Sequence, residues 1–434
     1  MSEYSIVRES TVKNQRVGKT YLLVPLLLFG SVAISYYIII PGVSLAQLIW
    51  ALTVAVILSI HPLASRSVFS WFVAFVLFAL VSTLAGLACL PTFGYVEAIK
   101  SCANLLFYFG CTVVLVPYLR QYGYERLTKT VSLIIVFLSI AAFIQYIYVV
   151  GFDGASTIYV WPNHFAGNPL GADLRGHFRA AGIFGEPSYL GLYIVVFMSF
   201  IVIQPPKKWP IGTIAIGILA ILVSFSAGAF VMIIVLFLLQ LPRVIGKIMA
   251  SRRTRSMVLA LLFLGLVVVV TPARTVIRDI VVERLSPSSL IEEGSFRDRL
   301  LGSWELSTAA VRQSPVIGVG LGNLEPFHKN IAEELKYKAQ GSDTITSTFA
   351  WVLGTTGVIG MILFLYPVLQ TFRKTWHRYG LMVYFTVFWL WFILLSGMFL
   401  AVPFWLFLTL GLSILPMHEN AQRQGECGAK NSSQ

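Results

Sequence analysis

The sequence predicts an all-α polytopic membrane protein of about twelve transmembrane helices, with two large loops on the extracytoplasmic face. Of its 434 residues, 57% are hydrophobic and only 12% are charged, whereas a soluble domain carries about 25% charged residues. The mean hydropathy is +0.80. Apolar runs of about 17–25 residues, long enough to cross a bilayer, recur along the chain. We therefore expect one integral membrane domain over residues 1–434.

The distribution of charge predicts how this domain is oriented. When successive loops are assigned to alternate sides, 20 of the 32 Lys and Arg residues fall on one side with only five of the 19 acidic residues. Excess Lys and Arg in short loops marks the cytoplasmic side. Both termini are then cytoplasmic. The formal charge of +13 is explained by topology, so we expect the lipid bilayer, and no nucleic acid, as a partner.

The spans can be assigned in order along the chain. The first twenty residues are polar and basic and resemble no cleavable signal peptide, so the first apolar run is expected to be a retained helix. The predicted spans are Tyr21–Ile40, Ser44–Ile60, Val68–Leu90, Ser101–Leu119, Val131–Val150, Glu186–Ile203, Ile211–Phe225, Ala227–Leu241, Met257–Thr271, Ser347–Leu369, Leu381–Leu395 and Ala401–Leu415.

The stretch Ile211–Leu241 allows two interpretations, one long kinked helix or two short spans. Basic residues flank it on both sides, at Lys207–Lys208 and from Arg243 to Arg255. Positive flanks at both ends require an even number of crossings. The charge pattern therefore favours a hairpin that breaks at Ser224–Gly228.

Two long loops are predicted on the extracytoplasmic face, over residues 151–185 and 272–346. Loops of this length are usually functional. In the second loop, Ser295–Asp298 resembles a capping box, and Leu300, Trp304 and Val311 follow at helical spacing. We expect an amphipathic helix on the membrane surface that ends before Pro315. The loops contain no cysteine, and the chain has no metal-binding Cys spacing.

The first loop ends in the segment Arg179–Ser188, which contains Glu186. A carboxylate at a membrane boundary is costly unless it is paired or hydrated. Glu186 is either a general base or a helix N-terminal carboxylate that interacts with the helix dipole. The residue chemistry leaves these two roles open.

The two outer loops also carry candidate anion-binding groups. Several arginines lie in these loops, and arginine binds phosphate bidentately. Acidic residues alternate with the arginines, however, and provide ordinary ion-pair partners. The run Gly318, Gly320 and Gly322 either offers backbone N–H groups to an anion or forms a tight chain reversal. His328 follows as a candidate base. The arginines are Arg175, Arg179, Arg274, Arg278, Arg284, Arg297, Arg299 and Arg312.

Taken together, these motifs resemble the O-antigen polymerase and O-antigen ligase superfamily. The resemblance rests on Gly185–Ser188, the break at Ser224–Gly228, Arg297 and Arg299 before the glycine run, and Gly354–Gly360. It implies a GT-C-like, metal-independent inverting glycosyltransferase of the bacterial inner membrane that needs no cofactor. Its substrates would be undecaprenyl-diphosphate-linked oligosaccharides that supply O-antigen, capsule or exopolysaccharide, and its partners a chain-length regulator and a flippase.

The resemblance also implies roles for individual residues. Arg179, Arg297 and Arg299 match the arginines that grip the diphosphate, and Arg175 is a further candidate for binding the substrate. Glu186 and His328 are the candidate catalytic groups. Ser226–Ala227 stands where the ligase branch has a serine–arginine pair, which favours a polymerase. The alternatives are a ligase that transfers glycan to lipid A-core, and a polysaccharide transporter or flippase, although no repeated halves are visible.

Overall fold

The computed structural model of this chain is a bundle of apolar helices. It describes residues 24–25, 27–28, 31, 38–40, 43–60, 70–89, 94–152, 180–184, 187–204, 208–250, 302–324, 326–327, 347–392 and 400–415. The helices within these residues are α1 Leu45–Ile60, α2 Ser70–Cys89, α3 Tyr95–Tyr122, α4 Tyr124–Phe152, α5 Pro187–Ile201, α6 Ile211–Ser224, α7 Ala227–Ala250, α8 Ser303–Gln313, α9 Thr348–Thr375, α10 Tyr379–Leu390 and α11 Val402–Ile414.

Ten of the twelve predicted spans coincide with these helices. Three helices are long and apolar enough to cross a membrane by themselves: Tyr95–Tyr122, Tyr124–Val149 and Thr348–Thr375. The other seven corresponding helices are apolar but shorter. The predicted span Met257–Thr271 lies outside the described residues. The helical, membrane-protein class is confirmed for the described part of the chain.

The first predicted span, Tyr21–Ile40, does not remain helical to its end. Ile38–Ile40 is a short strand, β1, that pairs antiparallel with β2, Val43–Ser44. β-Branched isoleucines favour an extended backbone, and the sequence between the strands is Pro–Gly. The prediction of helix over these last residues was therefore wrong.

Helix α5 is the centre of the bundle and packs against α4, α6, α7, α10 and α11. Nearly all of its residues are buried. Aromatic rings fill the space around it. The ring centroids of Tyr193 and Phe407 lie 5.3 Å apart in a tilted arrangement, and those of Phe197 and Phe407 lie 5.0 Å apart in an edge-to-face arrangement. Such pairs add about 0.5–1.5 kcal/mol each beyond the area they bury.

The predicted hairpin is confirmed by the position of α7. Helix α6 ends at Ser224 and is followed by Phe225, which adopts a left-handed conformation with φ of 44°, and α7 begins two residues after Phe225. The Arg243 guanidinium at the far end of α7 donates to the carbonyls of Val202 and Ile203, at the end of α5, at 3.3 and 3.4 Å. The chain has therefore returned to the end of the bundle from which α6 started, so α6 and α7 run in opposite directions beside α5.

Basic residues collect at this end of the bundle, which we call the basic end. Arg120 donates to the carbonyl of Leu412, and Arg378 donates to the carbonyl of Leu415 at 2.7 Å. Arg243 lies over the Tyr379 ring at 5.0 Å. Cations stabilise the carbonyl ends of helices. Three segments that the charge pattern placed on one side thus meet in space.

Candidate functional site

The six residues predicted to form the site lie outside the described residues: Arg175, Arg179, Glu186, Arg297, Arg299 and His328. The chain beside most of them is described. Ala180 follows Arg179, Phe184 and Pro187 flank the pair 185–186, and Phe327 precedes His328. Two described segments, Ala180–Phe184 and Gly302–Phe327, lie next to these residues in the chain, and we call them the supporting segments.

The segment Ala180–Phe184 is held in place by hydrogen bonds to the bundle. The N–H of Ala180 donates to the carbonyl of Val223 at 3.0 Å. The N–H groups of Ala181 and Gly182 both donate to Oε1 of Gln145, each at 2.8 Å. The segment thus lies between α4 and α6, at the end of the bundle opposite the basic end; we call this the loop end.

Apolar packing adds to these hydrogen bonds. Phe184 is fully buried, and its ring stacks on that of Tyr193 in α5 with the ring centroids 4.9 Å apart. Pro187, the first residue of α5, is buried as well. The two described residues that flank the pair 185–186 are therefore both part of the packed core.

The second segment begins with α8, the helix predicted within the long loop. The structure confirms a helix that ends before Pro315, and small residues form its buried face. Ser303, Ser307 and Ala310 face inward, while Trp304 and Val311 are only half buried. These small residues allow close packing on α9, and the Ser307 hydroxyl donates to the carbonyl of Ala350 at 2.5 Å. The helix therefore packs against α9.

Helix α9 is broken where the glycine run meets it. Gly357 has φ of 65° and ψ of −167° within the helix, so the carbonyls and N–H groups on either side lose their helical partners. The carbonyls of Gly354 and Thr355 accept the N–H groups of Val319 and Gly320, at 3.0 and 2.8 Å. The break is thus repaired by pairing with the chain after α8.

The other half of the break is repaired in the same way. The N–H of Val358 donates to the carbonyl of Pro315 at 3.0 Å, and that of Ile359 donates to Val316 at 3.4 Å. We call these four hydrogen bonds the clasp. Non-helical backbone inside an apolar bundle is tolerated only when its polar groups are paired, and the clasp provides that pairing.

The clasp requires glycine on both of its sides. Gly318 has φ of 70°, and a Cβ there would lie 2.5 Å from the amide nitrogen of Gly357. A Cβ on Gly357 would lie 2.6 Å from the amide nitrogen of Gly318. These distances are far below van der Waals contact, so the two backbones approach each other only because neither residue has a side chain.

Two polar side chains of α2 and the side chain of Asn323 fix the turn that contains the glycine run. The Ser82 hydroxyl donates to the carbonyl of Ile317, and the N–H of Leu321 donates to the Thr83 hydroxyl at 3.0 Å. Asn323, only 1% exposed, accepts the N–H of Gly94 at 2.9 Å and donates to the carbonyl of Val319 at 3.0 Å. The turn is thereby attached to α2, α3 and α9.

These contacts decide between the two roles that the sequence left open for the glycine run. The N–H of Gly318 donates to Ser314, those of Val319 and Gly320 donate to α9, and that of Leu321 donates to Thr83. Their hydrogen-bonding capacity is used within the protein. Residues 318–321 therefore form a chain reversal that joins the second loop to α9, and their N–H groups are not available to an anion.

Sequence reasoning missed Gln145, Ser82, Thr83 and Asn323 as the residues that support both segments. Each is a polar residue in or beside an apolar run, and this was the available signal, since a polar side chain in a span needs a partner. Within the described residues, no group of three His, Cys, Asp or Glu side chains is placed to hold a metal ion.

Part of this chain matches a known protein family. Residues 212–365 match the family model described as O-antigen ligase, a family of membrane enzymes that process glycans. The match starts at α6 and ends in α9, so it includes the hairpin, α8 and the clasp. No curated protein matches the chain significantly. The chain is an integral membrane protein, and its residues 212–365 are similar to the O-antigen ligase family.

Proposed function

We propose that this protein polymerises undecaprenyl-diphosphate-linked oligosaccharide repeat units at the periplasmic face of the bacterial inner membrane. The observation that carries the proposal is the match over residues 212–365, which includes the clasp that holds the second loop. The loop end would be periplasmic and the basic end cytoplasmic, because excess Lys and Arg marks the cytoplasmic side. The chain would then cross the membrane about twelve times with both termini in the cytoplasm.

The reaction would be a metal-independent glycosyl transfer with inversion at the anomeric carbon. The acceptor sugar's hydroxyl oxygen attacks the anomeric carbon of the donor, and the bond from that carbon to the diphosphate oxygen breaks. The hydroxyl proton passes to a base, for which Glu186 and His328 are the candidates. The undecaprenyl diphosphate leaves with the bonding electrons.

Arginines would stabilise the charge that develops on the leaving diphosphate. Arg179, Arg297 and Arg299, with Arg175, supply planar guanidinium groups that bind phosphate oxygens bidentately and stay charged at any relevant pH. Preorganised positive charge aimed at a leaving group stabilises the transition state, provided that its position is fixed. The supporting hydrogen bonds would serve this purpose: Gln145 holds the chain after Arg179, and the clasp holds the helix that follows Arg299.

An O-antigen ligase is the second candidate, because the matching family model carries that description. A ligase would use the same lipid-linked donor but would transfer the finished glycan to lipid A-core. The difference lies in the acceptor, whose binding residues the family match does not distinguish.

The glycan phenotype of a deletion strain separates the two functions. If the protein is a polymerase, its loss leaves lipid A-core with at most a single repeat, and resupply of the gene restores long chains. If it is a ligase, long chains accumulate on the lipid carrier. Normal surface glycan in the deletion strain, in every polysaccharide class that the bacterium makes, contradicts both functions. The measurement is gel and mass-spectrometric analysis of surface and lipid-linked glycans.

A further inference from the structure

Helix α9 carries a continuous stripe of exposed apolar side chains. They recur at helical spacing, at Val358, Ile359, Ile362, Tyr366 and Leu369, before the exposed cations Arg373 and Lys374 in the last turn of the helix. With a rise of about 1.5 Å per residue, the stripe from Val358 to Leu369 is about 17 Å long. The hydrocarbon core of a bilayer is about 30 Å thick. The stripe therefore covers more than half of that thickness, as expected of a surface in contact with lipid.

Before this stripe, α9 is covered by protein. Ala350, Val352 and the residues from Gly354 to Gly357 are buried where α8 and the glycine run pack on them. The cover ends at Pro315 and Val316, whose carbonyls accept the N–H groups of Val358 and Ile359. Pro315 and Val316 thus lie level with the first residues of the lipid-facing stripe.

The turn at this position exposes apolar side chains. Val316 is 53% exposed, beside Val358 at 45% and Ile359 at 40%, and Pro315 is exposed as well. Together these four side chains extend the lipid-facing stripe of α9 beyond the helix itself. Their continuity with a membrane-spanning surface identifies the partner as the bilayer rather than as another protein.

A cation lies next to this apolar turn. Arg312 is in the last turn of α8, is exposed, and makes no ion pair within the described part of the chain. A long arginine side chain can lie along an apolar surface and place its guanidinium in the polar headgroup layer. The phosphate groups of phospholipids are complementary in charge.

We propose that the turn Pro315–Val316 inserts into the leaflet at the loop end of the bundle, with Val316 among the acyl chains and Arg312 at the phospholipid phosphates. The clasp ties this turn to α9, so the turn fixes the depth at which α8 lies against the membrane. The inference goes beyond the proposed enzymatic function and does not depend on it.

Spin labelling in vesicles tests the insertion. A nitroxide is attached at Val316→Cys, and matched labels are placed at Ile362→Cys, in the lipid-facing stripe, and at Glu305→Cys, on the exposed side of α8. The Val316 label should resemble the Ile362 label, with access to oxygen several-fold higher than to a water-soluble nickel chelate. The Glu305 label should show the opposite preference. A Val316 label as accessible to nickel as the Glu305 label overturns the proposal.

A measurement on the wild-type protein does not depend on correct folding of the cysteine variants. A lipid-soluble diazirine should label the peptide that contains Pro315–Val316, and a water-soluble diazirine should label the peptide that contains Glu305. Absence of lipid-phase labelling at Pro315–Val316, with labelling of Ile362 in the same sample, again contradicts insertion.

The role of Arg312 is tested through the depth of the same label. In anionic vesicles, Arg312→Glu should move the Val316 label toward water, because the new carboxylate repels the headgroup phosphates, while Arg312→Lys should preserve its depth. The same shift in both variants, or none in Arg312→Glu, contradicts the phosphate contact.

Discussion

The N–H of Val319 donates to the carbonyl of Gly354 at 3.0 Å, joining the turn after α8 to the broken turn of α9. Through this bond and the three other hydrogen bonds of the clasp, the segment that follows α8 is attached to α9 on both sides of the helix break. An enzyme that acts on a lipid-linked substrate needs groups held at a fixed depth, since a displacement of about 1 Å can cost 100-fold in rate. The clasp supplies such a constraint.

Substitution of Gly357 should open the clasp. Gly357→Ala places a Cβ 2.6 Å from the amide nitrogen of Gly318 at a φ of 65°, and strain of this kind costs about 1–3 kcal/mol. We expect a lower thermal unfolding midpoint in detergent. Gly110→Ala is the matched control, because a Cβ there meets nothing within 4 Å. Equal midpoints for the two variants would show that the clasp does not contribute to stability.

Gln145 should be required for the first segment. Gln145→Leu removes the acceptor of two N–H groups, and each buried N–H left without a partner costs about 1–3 kcal/mol. We expect destabilisation measured by thermal unfolding, together with loss of glycan transfer. Gln313→Leu, at an exposed position at the end of α8, controls for the substitution itself and should change neither property. A Gln145→Leu protein as stable as the wild type contradicts the structural role.

The arginine pair before α8 should be essential for chain extension. Replacing both Arg297 and Arg299 with alanine should abolish polymerisation while the protein still inserts into the membrane. Lysine at both positions should restore little activity, because the planar guanidinium fork is lost. The measurement is chain length in a complemented deletion strain, with membrane level determined by immunoblot. Full activity of the double alanine variant excludes diphosphate binding by this pair.

Glu186 should act in proton transfer. Glu186→Gln is expected to retain the fold and donor binding but to lose turnover in a reconstituted assay, by about 10²–10⁴-fold if it is the general base. Glu125→Gln is the control, since Glu125 is an exposed residue whose ion pair with Lys208, at 3.8 Å, lies at the basic end. A loss of turnover of less than about tenfold would mean that Glu186 only positions other groups. His328 would then be the next residue to test in the same assay.

The orientation of the chain can be mapped with reporter fusions. Fusions after Val150 and near Glu293 should report the periplasm, and fusions after Lys208, Arg253 and Lys374 should report the cytoplasm, because basic loops stay inside. A periplasmic signal at Arg253 would contradict the assigned sidedness of the hairpin and, with it, the location of the second loop.

The sequence by itself determined the membrane class, the positions of most helices and the hairpin of α6 and α7. Each follows from local composition: apolar length decides whether a segment can span a bilayer, and basic flanks decide how often the chain crosses it. The prediction failed at Ile38–Ile40, where strand pairing replaced helix. It did not identify the face of α8 that packs on α9, because small residues such as Ser307 and Ala310 give little hydrophobic signal.

Only the tertiary structure decided what the glycine run does. Gly318 and Gly357 lie far apart in the chain, and their backbones meet because each lacks a Cβ, a relationship that no local pattern encodes. The same holds for Gln145 with Ala181 and for Asn323 with Gly94. Hydrogen bonds between distant segments depend on the packed arrangement of the whole bundle, whereas hydrophobicity and charge act on each segment separately.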